Sequence, residues 1–297
     1  MLAVATDESD AVPETDVQVT LRLNGNTLAG PQTLTYYSCR AIGGLDCARC
    51  LATTHPCGWC KDGPFVNHFC SRSSQCSVEW AADNLGQCPQ PQITGVSPNT
   101  GTRFGGTRVT IAGSNLGRSL SDISSVAMGG LSCTLESFAV AAGNILCRTT
   151  ALPQNELQRT AAAVVVSLAS GQVAQASTTF SFLNPQVTSF EPQRAVSAGG
   201  TLVTIKGSNL HAGAGVDITV GNQLACQVQT RQTSTIVCRT TAAARRPRRA
   251  ETAVCIKYDG ASSCADLTTS ATMSILPVTV IAMYIMYKSI IIRRRRR

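Results

Sequence analysis

"PQITGVSPNTGTRFGGTRVTIAGSNL" occupies residues 91–116, and "PQVTSFEPQRAVSAGGTLVTIKGSNL" occupies residues 185–210. The two stretches share one pattern at an offset of 94 residues (91 to 185). Further on, "LCRTTA" (146–151) is matched by "VCRTTA" (237–242), and Cys133 and Cys147 correspond to Cys226 and Cys238. Self-similarity at a fixed period means one structural unit used twice. The chain therefore carries two tandem domains, at 90–183 and 184–275.

Each unit reads as β-structure. In "TRVTIAGSNL" and "TLVTIKGSNL" apolar and polar residues alternate, the period of a half-buried strand. Val109 and Ile111 are expected to face a core, as are Val203 and Ile205. "AAAVVVSLAS" (161–170) and "VDITVGN" (216–222) add β-branched runs that favour strands. Glycine turn signals separate these runs at about 8–12 residues, the spacing of a small antiparallel sandwich. The Gly105-Gly106 and Gly199-Gly200 pairs supply tight backbone corners. No Lys-Ser/Thr and no helical pattern follow "GTRFGG", so a phosphate cradle is not expected there. Upstream, "VQVTLRLNGNTLAGPQTLTYYSC" (17–39) alternates in the same way and reads as the last strands of another sandwich.

Between that stretch and the first repeat lies "CARCLATTHPCGWC" (47–60), two Cys-x-x-Cys pairs separated by six residues. Eight of the fourteen cysteines fall between Cys39 and Cys88. A zinc ribbon normally has about 15–20 residues between its pairs. Zinc would also leave four cysteines unexplained, and a redox site would need a βαβ setting that is not visible. A segment this small builds little core and needs covalent staples. A disulfide scaffold is the favoured reading, with zinc and redox sites as the alternatives. Trp59 and Trp80 read as its small core, and His55 and His68 as exposed loop residues rather than metal ligands. Neither a metal nor a cofactor is expected.

The formal charge is +8, and it is concentrated. Arg293–Arg297 supply five positive charges and "RRPRR" (245–249) four more, leaving the rest near neutral. A chain-wide basic face for nucleic acid is missing. The clustered cysteines argue for an oxidising compartment. "MLAVATDESDAVPETD" has no basic start and no apolar run, so it is not a signal peptide. With so many cysteines, that points to part of a longer protein. The sequence contains no Asn-x-Ser/Thr sequon.

With "CARC", "PCGWC" and a closing "CP", the eight-cysteine segment resembles a PSI domain, the cysteine-rich module of plexins, semaphorins and integrins. The repeats, each with GGT-x-VTI-x-GSNL, resemble IPT/TIG domains, which are immunoglobulin-like sandwiches. A PSI module followed by tandem IPT domains resembles the extracellular stalk of a plexin, over roughly residues 17–275. The fold class this implies is all-β: a small disulfide-rich PSI module followed by two immunoglobulin-like sandwiches, elongated and multidomain. The expected division is a remnant of a preceding IPT-like sandwich at 1–37, PSI at 38–89, IPT at 90–183 and 184–275, and an apolar tail at 276–297.

The resemblance also implies a disulfide pairing: Cys39–Cys57, Cys47–Cys88, Cys50–Cys70 and Cys60–Cys76. Matching offsets in the repeats suggest Cys133–Cys147 and Cys226–Cys238. Cys255 and Cys264 flank an Asp-Gly turn in "IKYDGASS" and could pair across it. The family implies a semaphorin receptor on the outer side of the plasma membrane, whose ligand binds a sema domain that this sequence does not contain. Receptor self-association is a further expected interaction, and nucleic acid is not expected. Two alternatives share the motifs: the ectodomain of a scatter-factor-type receptor tyrosine kinase, and an intracellular TIG-domain DNA-binding factor.

Two segments stand apart. Arg246, Arg248 and Arg249 lie in an Arg-x-Arg-Arg pattern that suits a furin-type protease, with a solvated loop as the plain alternative. The tail "ILPVTVIAMYIMYKSIIIRRRRR" (275–297) reads either as the first strand of a broken repeat or as a short membrane span. The proline register, Pro91, Pro185 and Pro277, favours the broken repeat. No Gly-x-Ser-x-Gly, no His-Glu-x-x-His and no paired carboxylates stand out, so an enzyme is not expected.

Overall fold

A computed structural model describes residues 14–24, 26–62, 67–76, 79–81, 85–220, 224–242, 251–260 and 272–276. The chain opens with a hairpin, β1 (Glu14–Leu23) against β2 (Asn26–Tyr37). Asn24 sits at φ 49° in its turn, where the chain must reverse. Val17 and Leu34 face each other across this hairpin and are 47% and 56% exposed, so one of its faces is apolar and open.

The cysteine module follows, with α1 (Cys39–Gly43), α2 (Cys47–Leu51), β3 (Gly58–Asp62), β4 (Asn67–Ser71) and β5 (Glu79–Ala81). The two single-turn helices are absent from a reading by alternation alone. Each is started by a cap: Ser38 Oγ accepts from the Ala41 N–H (3.2 Å), and Asp46 Oδ1 from the Arg49 N–H (2.9 Å). The sheet runs β4-β3-β5. Its core is made mostly of sulfur: Cys39, Cys47, Cys50, Cys57, Cys70 and Cys88 pack around Trp59, which is 1% exposed. Trp80 is only half-buried, a correction to its reading as core; its indole Nε1 donates to the Ser71 carbonyl at 3.1 Å. His55 is not an exposed loop residue either. It is half-buried, with its ring stacked 4.2 Å from that of Tyr37. The side chain of His68 lies outside the described residues.

The first repeat contains β6 (Gln92–Ser97), β7 (Thr100–Thr102), β8 (Arg108–Ser114), β9 (Ile123–Met128), β10 (Leu131–Ala139), β11 (Asn144–Thr149), β12 (Arg159–Ala162), β13 (Val164–Leu168), β14 (Val173–Gln175) and β15 (Phe180–Leu183). They form a sheet ordered β14-β13-β9-β10-β11-β8-β6 and a second ordered β12-β15-β7. The second repeat contains β16 (Gln186–Glu191), β17 (Arg194–Val196), β18 (Leu202–Ser208), β19 (Val216–Val220), β20 (Leu224–Arg231), β21 (Thr235–Thr240), β22 (Glu251–Tyr258) and β23 (Thr272–Leu276). Their order is β16-β18-β21-β20-β19-β22-β23-β17. Equivalent short strands pair in parallel at the end of each repeat, β7 with β15 and β17 with β23.

Val109 and Ile111 are fully buried, as are Val203 and Ile205, so the alternation had assigned the inward face. They pack with Val126, Ile145, Val164 and Phe180 in the first core and with Ile218, Ile236, Ile256 and Tyr258 in the second. "AAAVVVSLAS" is not one strand. The chain leaves β12 at Ala162 and enters β13 at Val164 in the other sheet, with Ala161 at φ 54°. A run of small and β-branched residues cannot show where such a crossing falls, because both strands want the same composition.

The repeated motifs have a common backbone cause. In the first repeat Gly106 N–H donates to the Thr149 carbonyl (2.8 Å), Thr107 N–H to Thr149 Oγ1 (3.1 Å) and Thr149 N–H back to the Thr107 carbonyl (3.0 Å). In the second, Gly200, Thr201 and Thr240 repeat these bonds at 2.7, 3.1 and 2.9 Å. "GGT" and "CRTT" are thus two halves of one lock. The first glycine of each pair has positive φ, and a Cβ there would lie 2.5 Å from Ala151 N or 2.6 Å from Ala242 N. No other residue type fits without moving the backbone.

Candidate functional site

The side chains that distinguish this chain from a string of loose domains lie where one module meets the next. At the first joint, Asn115 follows β8 in the left-handed region (φ 56°), a conformation that asparagine tolerates. Its Oδ1 accepts from Cys47 N–H at 2.8 Å, and its own N–H donates to Asp46 Oδ2 at 3.0 Å. Asp46 therefore caps α2 with one oxygen and holds the first repeat with the other. Gln172, beyond β13, adds a longer bond from Nε2 to the Cys88 carbonyl at 3.5 Å.

The second joint uses the same two places. Asn209, the counterpart of Asn115, has φ 55° and donates from Nδ2 to the Asn184 carbonyl at 3.1 Å. The turn after β22 carries Asp259, whose Oδ1 accepts from the Ala214 and Gly215 N–H groups at 2.8 and 2.7 Å. Its Oδ2 accepts from Thr107 Oγ1 of the first repeat at 2.5 Å. Charge-assisted bonds of this kind are about twice as strong as neutral ones. Phe104 of the first repeat packs onto the core of the second, with the Arg103 guanidinium 5.6 Å above its ring. Beside the latch a cleft of about 320 Å³ is lined by Gly106, Arg108, Arg148, Ala214, Gly215 and Asp259. Glu136 bridges Arg108 and Arg148 at 2.9 and 2.8 Å, which neutralises part of that basic wall.

Inside the second repeat, Arg231 braces the same end of the fold. Its Nε donates to the Leu210 carbonyl at 2.9 Å and its Nη2 to the Ala212 carbonyl, and its guanidinium lies 5.5 Å above the Tyr258 ring. Burial lowers the guanidinium pKa of Arg231. Burial also pushes the Tyr258 phenol up to about 12, with the nearby Arg231 charge opposing the shift.

Among the described residues the structure shows six complete cysteine pairs. In the module these are Cys39 with Cys57, Cys47 with Cys88, Cys50 with Cys70 and Cys60 with Cys76. In the repeats they are Cys133 with Cys147 and Cys226 with Cys238. Each repeat disulfide joins neighbouring strands diagonally: Cys147 faces Leu135 and Cys238 faces Val228, two positions beyond the partner cysteine. Cys255 lies on β22, but Cys264 falls outside the described residues, as do Arg246, Arg248, Arg249 and the tail from 277 onward. Among the described residues, no helix is long and apolar enough to cross a membrane.

Sequence reading missed Asp46, Thr107, Asn115 and Asp259 as joint residues. The repeated "GSNL" and "GGT" carried the signal for two of them, but not what lies across the joint. Residues 91–182 and 185–272 each match the IPT/TIG domain family. This chain belongs to the IPT/TIG domain family. It is 34% identical to human Plexin-A2 over 236 residues, covering 72% of this chain and 12% of that protein. Mouse Plexin-B2 is 31% identical over 209 residues, covering 69% of this chain and 11% of that protein. The solved structure of the full extracellular region of Plexin A4 superposes with a TM-score of 0.68 and 28% identity, covering 91% of this chain and 27% of that one. The IPT/TIG chain thus spans about a tenth of the length of its curated plexin relatives. Its likeness to a plexin extracellular region holds in sequence and in fold.

Proposed function

We propose that this chain acts as the stalk of a plexin-like semaphorin receptor, a stiff spacer on the outer side of the plasma membrane. The observation that carries this reading is the pair of side-chain latches, Asp46–Asn115 and Thr107–Asp259. A spacer must fix distance and angle, and a joint with directional bonds and a short connection does so. Only Asn184 and Pro185 separate β15 from β16, and proline removes further backbone freedom. Semaphorin would be bound by a separate head domain of the receptor, and stalk-to-stalk contact between receptors is the second interaction. Nucleic acid is not a partner, and catalysis is not part of this role.

Small-angle scattering of the whole chain should give an elongated particle; a compact globule would sink the spacer reading. Non-reducing peptide mapping should return the six cysteine pairs together with Cys255–Cys264. Fourteen reactive thiols in the folded protein would instead favour an intracellular factor. Incubation with furin should cut after Arg249 if the Arg246–Arg249 loop is open, and an intact chain would assign those arginines to a plain solvated loop.

A further inference from the structure

The hairpin at the start of the described chain is a sheet of two strands, and among the described residues no third strand joins either edge. Two strands alone are marginal in water; a third strand and a covered apolar face make such a sheet stable. One face is polar and satisfied within itself. Thr35 Oγ1 donates to Asp16 Oδ1 at 2.8 Å, and Gln18 Nε2 donates to Thr33 Oγ1 at 2.9 Å. The other face carries Val17 and Val19 of β1, with Leu34 opposite Val17, and both Val17 and Leu34 stay exposed. The two edges differ. β2 contains Pro31, which lacks an amide donor and blunts that edge, whereas β1 contains no proline. β1 is therefore the edge open to a further strand.

The opposite end of the sequence has a matching composition. Past β23, residues 278–292 are rich in Val, Ile, Met and Tyr and hold one charge, Lys288. The stretch is longer than the 10 residues of β1, and its Val, Ile and Tyr favour strands. Arg293–Arg297 close it. Before and within the start of β1 stand Asp7, Glu8, Asp10, Glu14 and Asp16, with no Lys or Arg among residues 1–16. These charges fix a direction. A strand laid antiparallel on β1 carries its C-terminal flank to the N-terminal flank of β1, which sets the arginines beside the acids. Parallel addition would send them toward the like charge of Arg22.

We propose that the hairpin of one chain captures the apolar tail of a second copy, residues 278–292, as an antiparallel strand on β1, with Arg293–Arg297 held by the acidic start. The occupant is a second copy because the hairpin abuts the cysteine module, whereas β23 belongs to the last repeat, with the first repeat latched between them. Backbone bonds along the edge supply affinity in such strand addition, and the flanking charges supply direction. The contact joins different surfaces of the two copies, so it propagates head to tail rather than closing as a pair. It deepens the self-association within the stalk reading and rests on that part of it. A chain that stays monomeric yet scatters as an elongated particle would remove this contact and leave the spacer.

Sedimentation velocity of the whole chain between ~1 and ~100 μM, joined to amide hydrogen exchange, tests the contact. The expected result is a mass that rises with concentration through open chains, with slower exchange in β1. Raising salt from ~0.05 to ~0.5 M should weaken association about tenfold, because screening removes the attraction between the flanks. Arg293→Glu/Arg294→Glu/Arg295→Glu should weaken it about tenfold or more, as should Asp7→Arg/Asp10→Arg, and a chain carrying both sets should recover it. All five positions lie outside the three modules, so strand content by circular dichroism should not change. A monomer at every concentration overturns the proposal. So does protection of β1 that is independent of concentration, as closure within one chain would give. Association indifferent to salt and to the charge variants, as apolar clustering of tails alone would give, also overturns it. Uptake of an otherwise monomeric chain by phosphatidylcholine vesicles would assign the tail to a membrane instead.

Discussion

Gly199 shows how a single residue carries the repeat. It sits at φ 79°, and a Cβ there would lie 2.6 Å from the Ala242 amide nitrogen. Gly199→Ala should therefore destabilise the second repeat by more than about 1 kcal/mol, since the strain of positive φ adds to the backbone clash. The urea midpoint of the second transition measures it, and an unchanged midpoint would mean the corner relaxes freely. Thr240→Val removes the hydroxyl that accepts from Thr201 N–H and should cost about 1–2 kcal/mol in the same assay. Tyr258 gives a pH signature. Its folded pKa of about 12 stands above the unfolded value, so the folded state keeps a proton that the unfolded chain loses. Its contribution is whole below pH ~10 and falls as pH rises from there through the folded value. Tyr258→Phe should flatten the alkaline loss of stability in that window, read as urea midpoints across the alkaline range. A slope equal to wild type would show that another group dominates.

At the scale of elements, each diagonal disulfide ties the strand that carries the "CRTT" half of the lock to its neighbour. In the second repeat Cys226 and Cys238 join β20 to β21, whose far end holds Thr240. The Cys226→Ser/Cys238→Ser pair should lose about 2–3 kcal/mol, mainly through greater freedom of the unfolded chain. Calorimetry should show the second repeat melting earlier while the first is unmoved; a shift of both transitions would mean that the repeats unfold as one. Alternation made the strands around Val109 and Val203 legible, because one buried face and one wet face imprint a period of two. The two helices of the cysteine module were not legible. Five residues are too few to show a helical period, and only their caps, Ser38 and Asp46, mark them. The crossing from β12 to β13 was hidden for the reason given by its composition.

Across the whole molecule, the latches decide geometry rather than fold. Asp259→Asn removes the charge from a carboxylate that serves both Thr107 and the Ala214–Gly215 turn. It should weaken the joint by about 1–3 kcal/mol while each sandwich stays folded. The scattering profile should then report a wider spread of inter-repeat angles, with strand content by circular dichroism unchanged. Asn115→Ala should do the same at the first joint. If both variants scatter as wild type, Phe104 packing and the short Asn184-Pro185 connection hold the angle unaided.

The sequence by itself determined the repeat, the all-β class and the inward-facing residues, since each is a local pattern written along the chain. It also marked Gly105 and Gly199, whose motif recurs because the backbone there admits no side chain. The tertiary structure alone decided which atoms meet across the joints. Asp46 with Asn115, and Thr107 with Asp259, lie 69 and 152 residues apart. A polar side chain in a turn looks the same in sequence whether it faces water or a neighbouring module. Only the folded backbone, by setting two distant turns within hydrogen-bond reach, tells the two apart.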